Sequence, residues 1–234
     1  MSATYHTLMN CAAEHLLHEL NKKVIKCTLC PRLSSYIKQV GQIKVSRFID
    51  EVYWAKPLPS FGDGKAKLLI IGLAPAAHGG NRTGRMFTGD SSGDWVAKAM
   101  FETGFANMPT SQSRNDRLVL KDAYITAVLR CAPPVNKPSL LEILNCSQYL
   151  VAELKILYKT AKVILTLGKI AFNTFCMTSN LKGLVFYHGA CYSIGSGKTL
   201  LASYHPSKQN TNTGKLTWQM WINIFKTAKS IINA

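Results

Sequence analysis

The apolar residues of this chain follow two periods that alternate along its length. From residue 5 to 26, Leu8, Cys11, Ala12, His15, Leu16, Leu20 and Val24 recur at helical spacing, which predicts an amphipathic helix. At Lys67 to Leu73 the sequence KLLIIGL is instead a short, glycine-bounded aliphatic run, the signature of a buried strand. The alternation continues with a helix over SSGDWVAKAMFETG, ending at Gly104, and a strand over Asp122 to Leu129. Ser139 with Glu142 three positions on is a capping box that opens a helix from Leu140 to about Tyr158. A strand from Lys162 to Leu167, a helix from Gly168 to Met177, a strand from Thr199 to Tyr204 and an amphipathic helix from Leu216 to Ile232 complete the pattern. The stretch between Leu33 and Lys67 reads as polar and irregular.

Strands alternating with helices imply a parallel sheet covered on both faces, and 234 residues with 47% hydrophobic composition are expected to form one domain spanning 1–234. In open sheets of this kind ligands collect beyond the carboxyl ends of the strands. Three unusual loops fall there: Ala74 to Asp90, RCAPPVNKP after the second strand, and HPSKQNTNTGK after the last. The first has neither period, and a loop of that length usually carries function.

Charge narrows the partner. The formal net charge is +16, which favours polyanions and puts nucleic acid ahead of other ligands, the alternative being a merely lysine-rich surface. No run of about 18 apolar residues could span a bilayer, and Glu14 and Glu19 interrupt the N-terminus where a signal peptide would be apolar, so no membrane association and a cytoplasmic location are expected. Seven cysteines in a reducing compartment point to metal binding or burial before disulfides.

Cys27-x-x-Cys30 followed by Pro31 has metal-ligand spacing, and loop and helix could bring Cys131 and Cys146 toward it; alone, the four suit zinc or a [4Fe–4S] cluster. Cys11, Cys176 and Cys191 are assigned to packing. In GLAPAAHGGNRTGRMFTGDSSGDW, Gly72, Gly79, Gly80, Gly84 and Gly89 permit close backbone approach to a flat ligand, and Phe87 can stack on a base. Asp90 is either a carboxylate placed beside that base or the N-cap of the following helix, and both can hold together. His205 comes immediately after a strand end on the ligand edge.

Taken together, that glycine-rich segment, RCAPPVNKP, HPSKQNTNTGKLT and the four cysteines closely resemble a family-5 (type b) uracil-DNA glycosylase, from about Lys22 to Thr217. The resemblance implies a three-layer αβα sandwich with a mostly parallel central sheet and a [4Fe–4S] cluster on Cys27, Cys30, Cys131 and Cys146. It implies hydrolysis of the N-glycosidic bond of uracil in double-stranded DNA by a monomer that flips the damaged base. Asp90, Asn136 and His205 would be catalytic; Gly72, Ala74, Ala76, His78, Asn81 and Phe87 would surround the base; Arg82, Pro206, Ser207, Lys208 and Asn210 would meet the DNA.

Two positions depart from related glycosylase families. GLAPAA is apolar where others carry a water-holding polar side chain, leaving some of that work to Asp90, and ITAV puts Ala127 where family 4 has an asparagine that reads uracil. An apolar wall there predicts a permissive pocket that also accepts hypoxanthine and xanthine. The competing reading is a catalytically inactive iron-sulfur protein that binds nucleic acid. A phosphate-binding α/β enzyme is weaker, since no P-loop or dinucleotide fingerprint follows the first strand.

Overall fold

The structure, a computed structural model, describes residues 2–234, with side chains from residue 12 onward. Its centre is a six-stranded sheet in the order β1-β3-β2-β4-β6-β5. β2 (Leu68–Gly72), β3 (Ala123–Ala127) and β4 (Val163–Leu167) are buried at every position, and β6 (Thr199–Ser203) nearly so. That unbroken burial is why these segments read as aliphatic runs rather than as alternating patterns. β3, β2, β4 and β6 are mutually parallel, while β1 (Phe61–Gly62) and β5 (Cys191–Ser193) add antiparallel edges.

Successive strand residues feed opposite cores. Leu68 and Ile70 join Val96 and Met100 of α4 (Ser91–Glu102) and Trp221 and Phe225 of α8 (Trp218–Asn233). Leu69 and Ile71 join Leu17 of α1 (Ser2–Ile25), Leu33 of α2 (Pro31–Ile43), Leu150 of α5 (Leu140–Leu157) and Phe172 of α6 (Lys169–Thr178). The result is the expected three-layer sandwich. The capping box also forms, with Glu142 N–H donating to Ser139 Oγ and Ser139 N–H to Glu142 Oε2.

The stretch after Leu33 is not irregular throughout. α2 begins with Pro31 in its first turn and buries Leu33, Ile37 and Val40, a four-then-three spacing that leaves enough polar positions between to mask the helix in the sequence. Short helices also form inside two of the loops, α3 (Gly80–Thr83) and α7 (Lys208–Asn212). Cys176 is buried as expected, but Cys191 is exposed on the edge strand β5, so packing does not account for it. Cys11 lies outside the described side chains.

After β3 the chain crosses β2 to reach β4, so the loops that leave β2 and β3 and those that leave β4 and β6 diverge at one edge. Pairing of β2 with β3 runs on past Gly72 and Ala127, with Val128 N–H donating to Gly72 O and Leu129 N–H to Leu73 O, which sets the glycine-rich loop and the RCAPP loop side by side. No described helix is long and apolar enough to cross a membrane.

Candidate active site

Two of the proposed site residues meet directly. Phe87 and His205 stack with ring centroids 5.9 Å apart and planes 29° from parallel. Phe87 reaches this place through a left-handed backbone, φ 48°, an unusual state for an aromatic residue and one that marks a functional turn. Its ring lies against the end of β2, where only glycine fits: a Cβ on Gly72 would stand 2.8 Å from Phe87 Cζ. Gly72 pairs across the sheet with Ala127, which is buried on the same face as Phe87.

Asp90 caps α4, its Oδ1 accepting from Gly93 N–H at 2.9 Å. The capping reading therefore holds, and it leaves Oδ2 over the loop. There a Cβ on Gly79 would collide with Asp90 Oδ2, so the glycine keeps the carboxylate in contact with the loop backbone. Burial pushes the Asp90 carboxyl above its ordinary range, while the Gly93 amide pulls the other way.

Burial holds His205 down to about 4, so the ring is a neutral imidazole at neutral pH. Its backbone is fixed by α7, whose N-cap Ser207 accepts from Asn210 N–H, while Asn210 Nδ2 donates to His205 O at 2.8 Å. Pro206 is buried, and its carbonyl accepts from Ser92 Oγ of α4 at 2.9 Å, which joins the HPS loop to the Asp90 cap.

Other expected contact residues are occupied by the protein itself. The Asn81 side chain is fully buried and donates to Ile37 O of α2 at 3.2 Å, so it braces the loop from behind. Arg82 donates to His78 O, Gly89 O and Glu51, and lies over the Phe48 ring at 3.8 Å. Its guanidinium is a clasp for the glycine-rich loop and is not free for phosphate. Nor are Pro206, Ser207 and Asn210 simple surface contacts, since each has the loop-building bond described above; Lys208 is exposed. His78 Nδ1 meets the Tyr53 hydroxyl at 3.0 Å, and burial, then Arg47 and Arg82, lower its pKa. Ala74 and Ala76 are half-buried in the same loop.

Asn136 is exposed at the tip of the RCAPP loop, where it and Val135 both have left-handed backbones, φ 55° and 52°, and Val135 is 80% exposed. Arg32 steadies that loop by pairing bidentately with Glu142 and donating to Lys137 O.

Cys27, Cys30, Cys131 and Cys146 are all free thiols. Burial raises the Cys131 pKa first, and the charges of Cys146, Cys27 and Cys30 raise it further, so the four sulfurs are near enough to feel one another. Among the described residues, however, no three His, Cys, Asp or Glu side chains close up tightly enough to hold a metal ion. Arg130 N–H donates to Cys146 Sγ at 3.3 Å, and Asn145 Nδ2 to Cys30 Sγ at 3.8 Å. Beneath them the fully buried Arg130 pairs with Glu153 at 2.6 Å, and both reach into a polar cluster with Ser60 and Thr126 that the sequence did not announce.

Residues 59–229 match the family described as the Uracil DNA glycosylase superfamily. A type-5 uracil-DNA glycosylase of Mycobacterium tuberculosis is 43% identical over 216 residues, covering 91% of this chain and 81% of that protein. Another from Thermus thermophilus is 44% identical over 207 residues, 88% of this chain and 93% of its own. A type-4 uracil-DNA glycosylase of Archaeoglobus fulgidus is more distant, 29% identical over 159 residues, 64% of this chain and 70% of that protein. The chain belongs to the type-5 family of the uracil-DNA glycosylase superfamily.

Proposed function

We propose that the protein removes uracil, and with it hypoxanthine and xanthine, from double-stranded DNA by hydrolysing the N-glycosidic bond, leaving an abasic site for repair. Uracil excision follows from the family; the wider range and the duplex preference are our reading of the site. The observation that carries it is the grouping, at one sheet edge, of an aromatic face, a half-buried neutral imidazole and a half-buried carboxylate on Phe87, His205 and Asp90.

A base inside the duplex is out of reach, so the nucleotide must be extruded at a cost of a few kcal/mol, least for a mispaired base. Phe87 offers the flipped base a stacking face. Bond breaking leaves negative charge on the departing base and positive charge on the sugar. The neutral His205 N–H, preorganised beside Phe87, donates to a base carbonyl oxygen as that charge develops. Asp90 Oδ2 faces the sugar, stabilises the oxocarbenium-like centre and orients the attacking water, and desolvation strengthens both effects. Asn136 completes the set from the RCAPP loop, hydrogen-bonding the base or the water. The exposed lysines of the HPS loop edge meet the phosphates.

Cys27, Cys30, Cys131 and Cys146 would hold a [4Fe–4S] cluster. The chemistry of the donors suits such a cluster, four free thiols with a backbone and an amide N–H already directed at Cys146 and Cys30, although the four sulfurs do not close into a metal-holding group among the described residues. A cluster there would fasten the 27–30 turn to the 131–146 loop and helix, and glycosidic hydrolysis asks no electron of it. We take the protein to act as a cytoplasmic monomer built as a single domain.

The deciding assay incubates the purified protein with a duplex containing one uracil and scores free base and an alkali-labile abasic site. Binding without base release would favour the inactive, DNA-binding alternative.

A further inference from the structure

The chain around His205 is tied at three consecutive residues. Asn210 holds the His205 carbonyl and Ser92 the Pro206 carbonyl, both from helix-capping neighbourhoods. The third tie comes from a residue with no part in the site described so far: Tyr204 N–H donates to Nδ1 of His188 at 3.3 Å. We propose that His188 is a positioning residue for base release, fixing the end of β6 so that the His205 ring stays directed at the base.

An amide N–H can only donate, so Nδ1 of His188 must present its lone pair and the proton must sit on Nε2. The Met220 backbone carbonyl of α8, which interacts with the ring, is a suitable acceptor for it. Burial favours this neutral form. Ser203 Oγ lies 3.3 Å from the same Nδ1 and gives its own proton to Tyr204 O at 2.9 Å, so the imidazole touches two successive residues leading into His205.

The ring is itself held. Gly189 N–H donates to Ala202 O at 2.8 Å and Ala202 N–H to Ala190 O at 2.9 Å, so the loop carrying His188 is zipped onto β6 and cannot swing away without opening that edge. The His188 and Tyr204 rings are 5.2 Å apart at 34°, and Phe186 packs on Tyr204 at 6.2 Å. Charged or titratable groups at this edge include the phenols of Tyr187 and Tyr204 and Lys215, whose Nζ lies 5.0 Å over the Tyr204 ring. Among the described residues no carboxylate pairs with His188, so protonation would break the Tyr204 tie and leave Nδ1–H only the Ser203 hydroxyl oxygen to donate to.

This inference rests on His205 acting as the donor to the base, and the test separates the two. Single-turnover release of uracil from a duplex is measured with excess enzyme for wild type, H188A, H188F, H188N, H205A and H188A/H205A, each normalised to folded protein. Asn can place an oxygen where Nδ1 stands, whereas Phe keeps the ring volume and offers no acceptor. We expect H188A and H188F to be about tenfold slower at saturation, the scale of one lost hydrogen bond, with half-saturating enzyme concentration unchanged. H188N should return to within about twofold of wild type, and adding H188A to H205A should cost no more than about twofold further, because the two act through one group. A wild-type rate in H188F, no rescue by Asn, or a fully multiplicative double variant overturns the proposal while a slow H205A leaves the site reading standing. A wild-type rate in H205A overturns both.

Discussion

Phe87 and His205 stack at 5.9 Å from distant parts of the chain, one from the loop after the first long strand and the other from the loop after the last. On the proposed reading the pair marks where a flat base would sit, and the low pKa of His205 would make its ring a neutral donor to that base. His205→Ala should slow base release by about 10²–10³ while leaving duplex affinity nearly unchanged, the usual cost of losing one preorganised donor. Because the folded-state pKa lies below the ordinary value, the neutral ring adds stability that is complete above about 6.5 and lost as pH falls through about 4. Thermal melts of wild type and His205→Phe across that range test the sign: only wild type should lose this contribution.

Asp90 caps α4 through Oδ1 and, on the proposed reading, would act on the sugar and water through Oδ2, and substitutions can part the two roles. Asp90→Asn keeps an Oδ1 acceptor for Gly93 N–H and removes the charge, so it should melt like wild type and release base at least about 10²-fold more slowly. Asp90→Ala should add a loss of about 1 kcal/mol of stability from the missing cap. If Asp90→Asn cleaves at the wild-type rate, capping is its whole role. Gly79→Ala, which changes no polar group, should also slow release by displacing Oδ2.

Arginine and lysine at the DNA edge should behave differently. Arg82→Ala removes bonds to His78, Gly89 and Glu51 and should lower the melting temperature by several degrees. Lys208→Ala and Lys215→Ala should leave stability alone, weaken binding to undamaged duplex, and reduce the slope of log affinity against log salt by about 0.9 for each phosphate that is no longer neutralised. Binding isotherms at several salt concentrations measure this; equal slopes for all variants would remove these lysines from the interface.

Anaerobically purified protein should contain roughly four irons per chain and be brown, with broad absorbance. Cys146→Ala should lose the iron and much of the soluble yield. Stoichiometric zinc without iron would refute the cluster assignment.

The buried methyl of Ala127, beside Gly72 on the Phe87 face, leaves no amide to read the uracil edge. A panel of duplexes differing only in the target base, run at single turnover, should therefore show release of hypoxanthine and xanthine as well as uracil. Strict uracil specificity would refute this. Ala127→Asn should narrow the panel toward uracil if its amide reaches past Phe87.

The sequence by itself determined the long strands and most of the helices, because residues buried on both faces must be aliphatic throughout and the helices that cover them must repeat near 3.6. It also placed Phe87, Asp90 and His205 at the strand ends, since their loops have no periodic reason to exist. What it hid is whatever depends on distant partners. α2 was masked because three buried residues among ten others make a thin stripe, convincing only when the sheet behind it is known. The resemblance put Asn81 at the base and Arg82 at the DNA, but in the fold their side chains bond inward to Ile37 and Gly89. His188, unremarkable in its own segment, was brought to Tyr204 by the pairing of its loop with β6. Local spacing specifies which face a side chain occupies; only closure of the sheet decides what stands opposite it, and at this site that choice separates the residues free to meet a base from those that hold them in place.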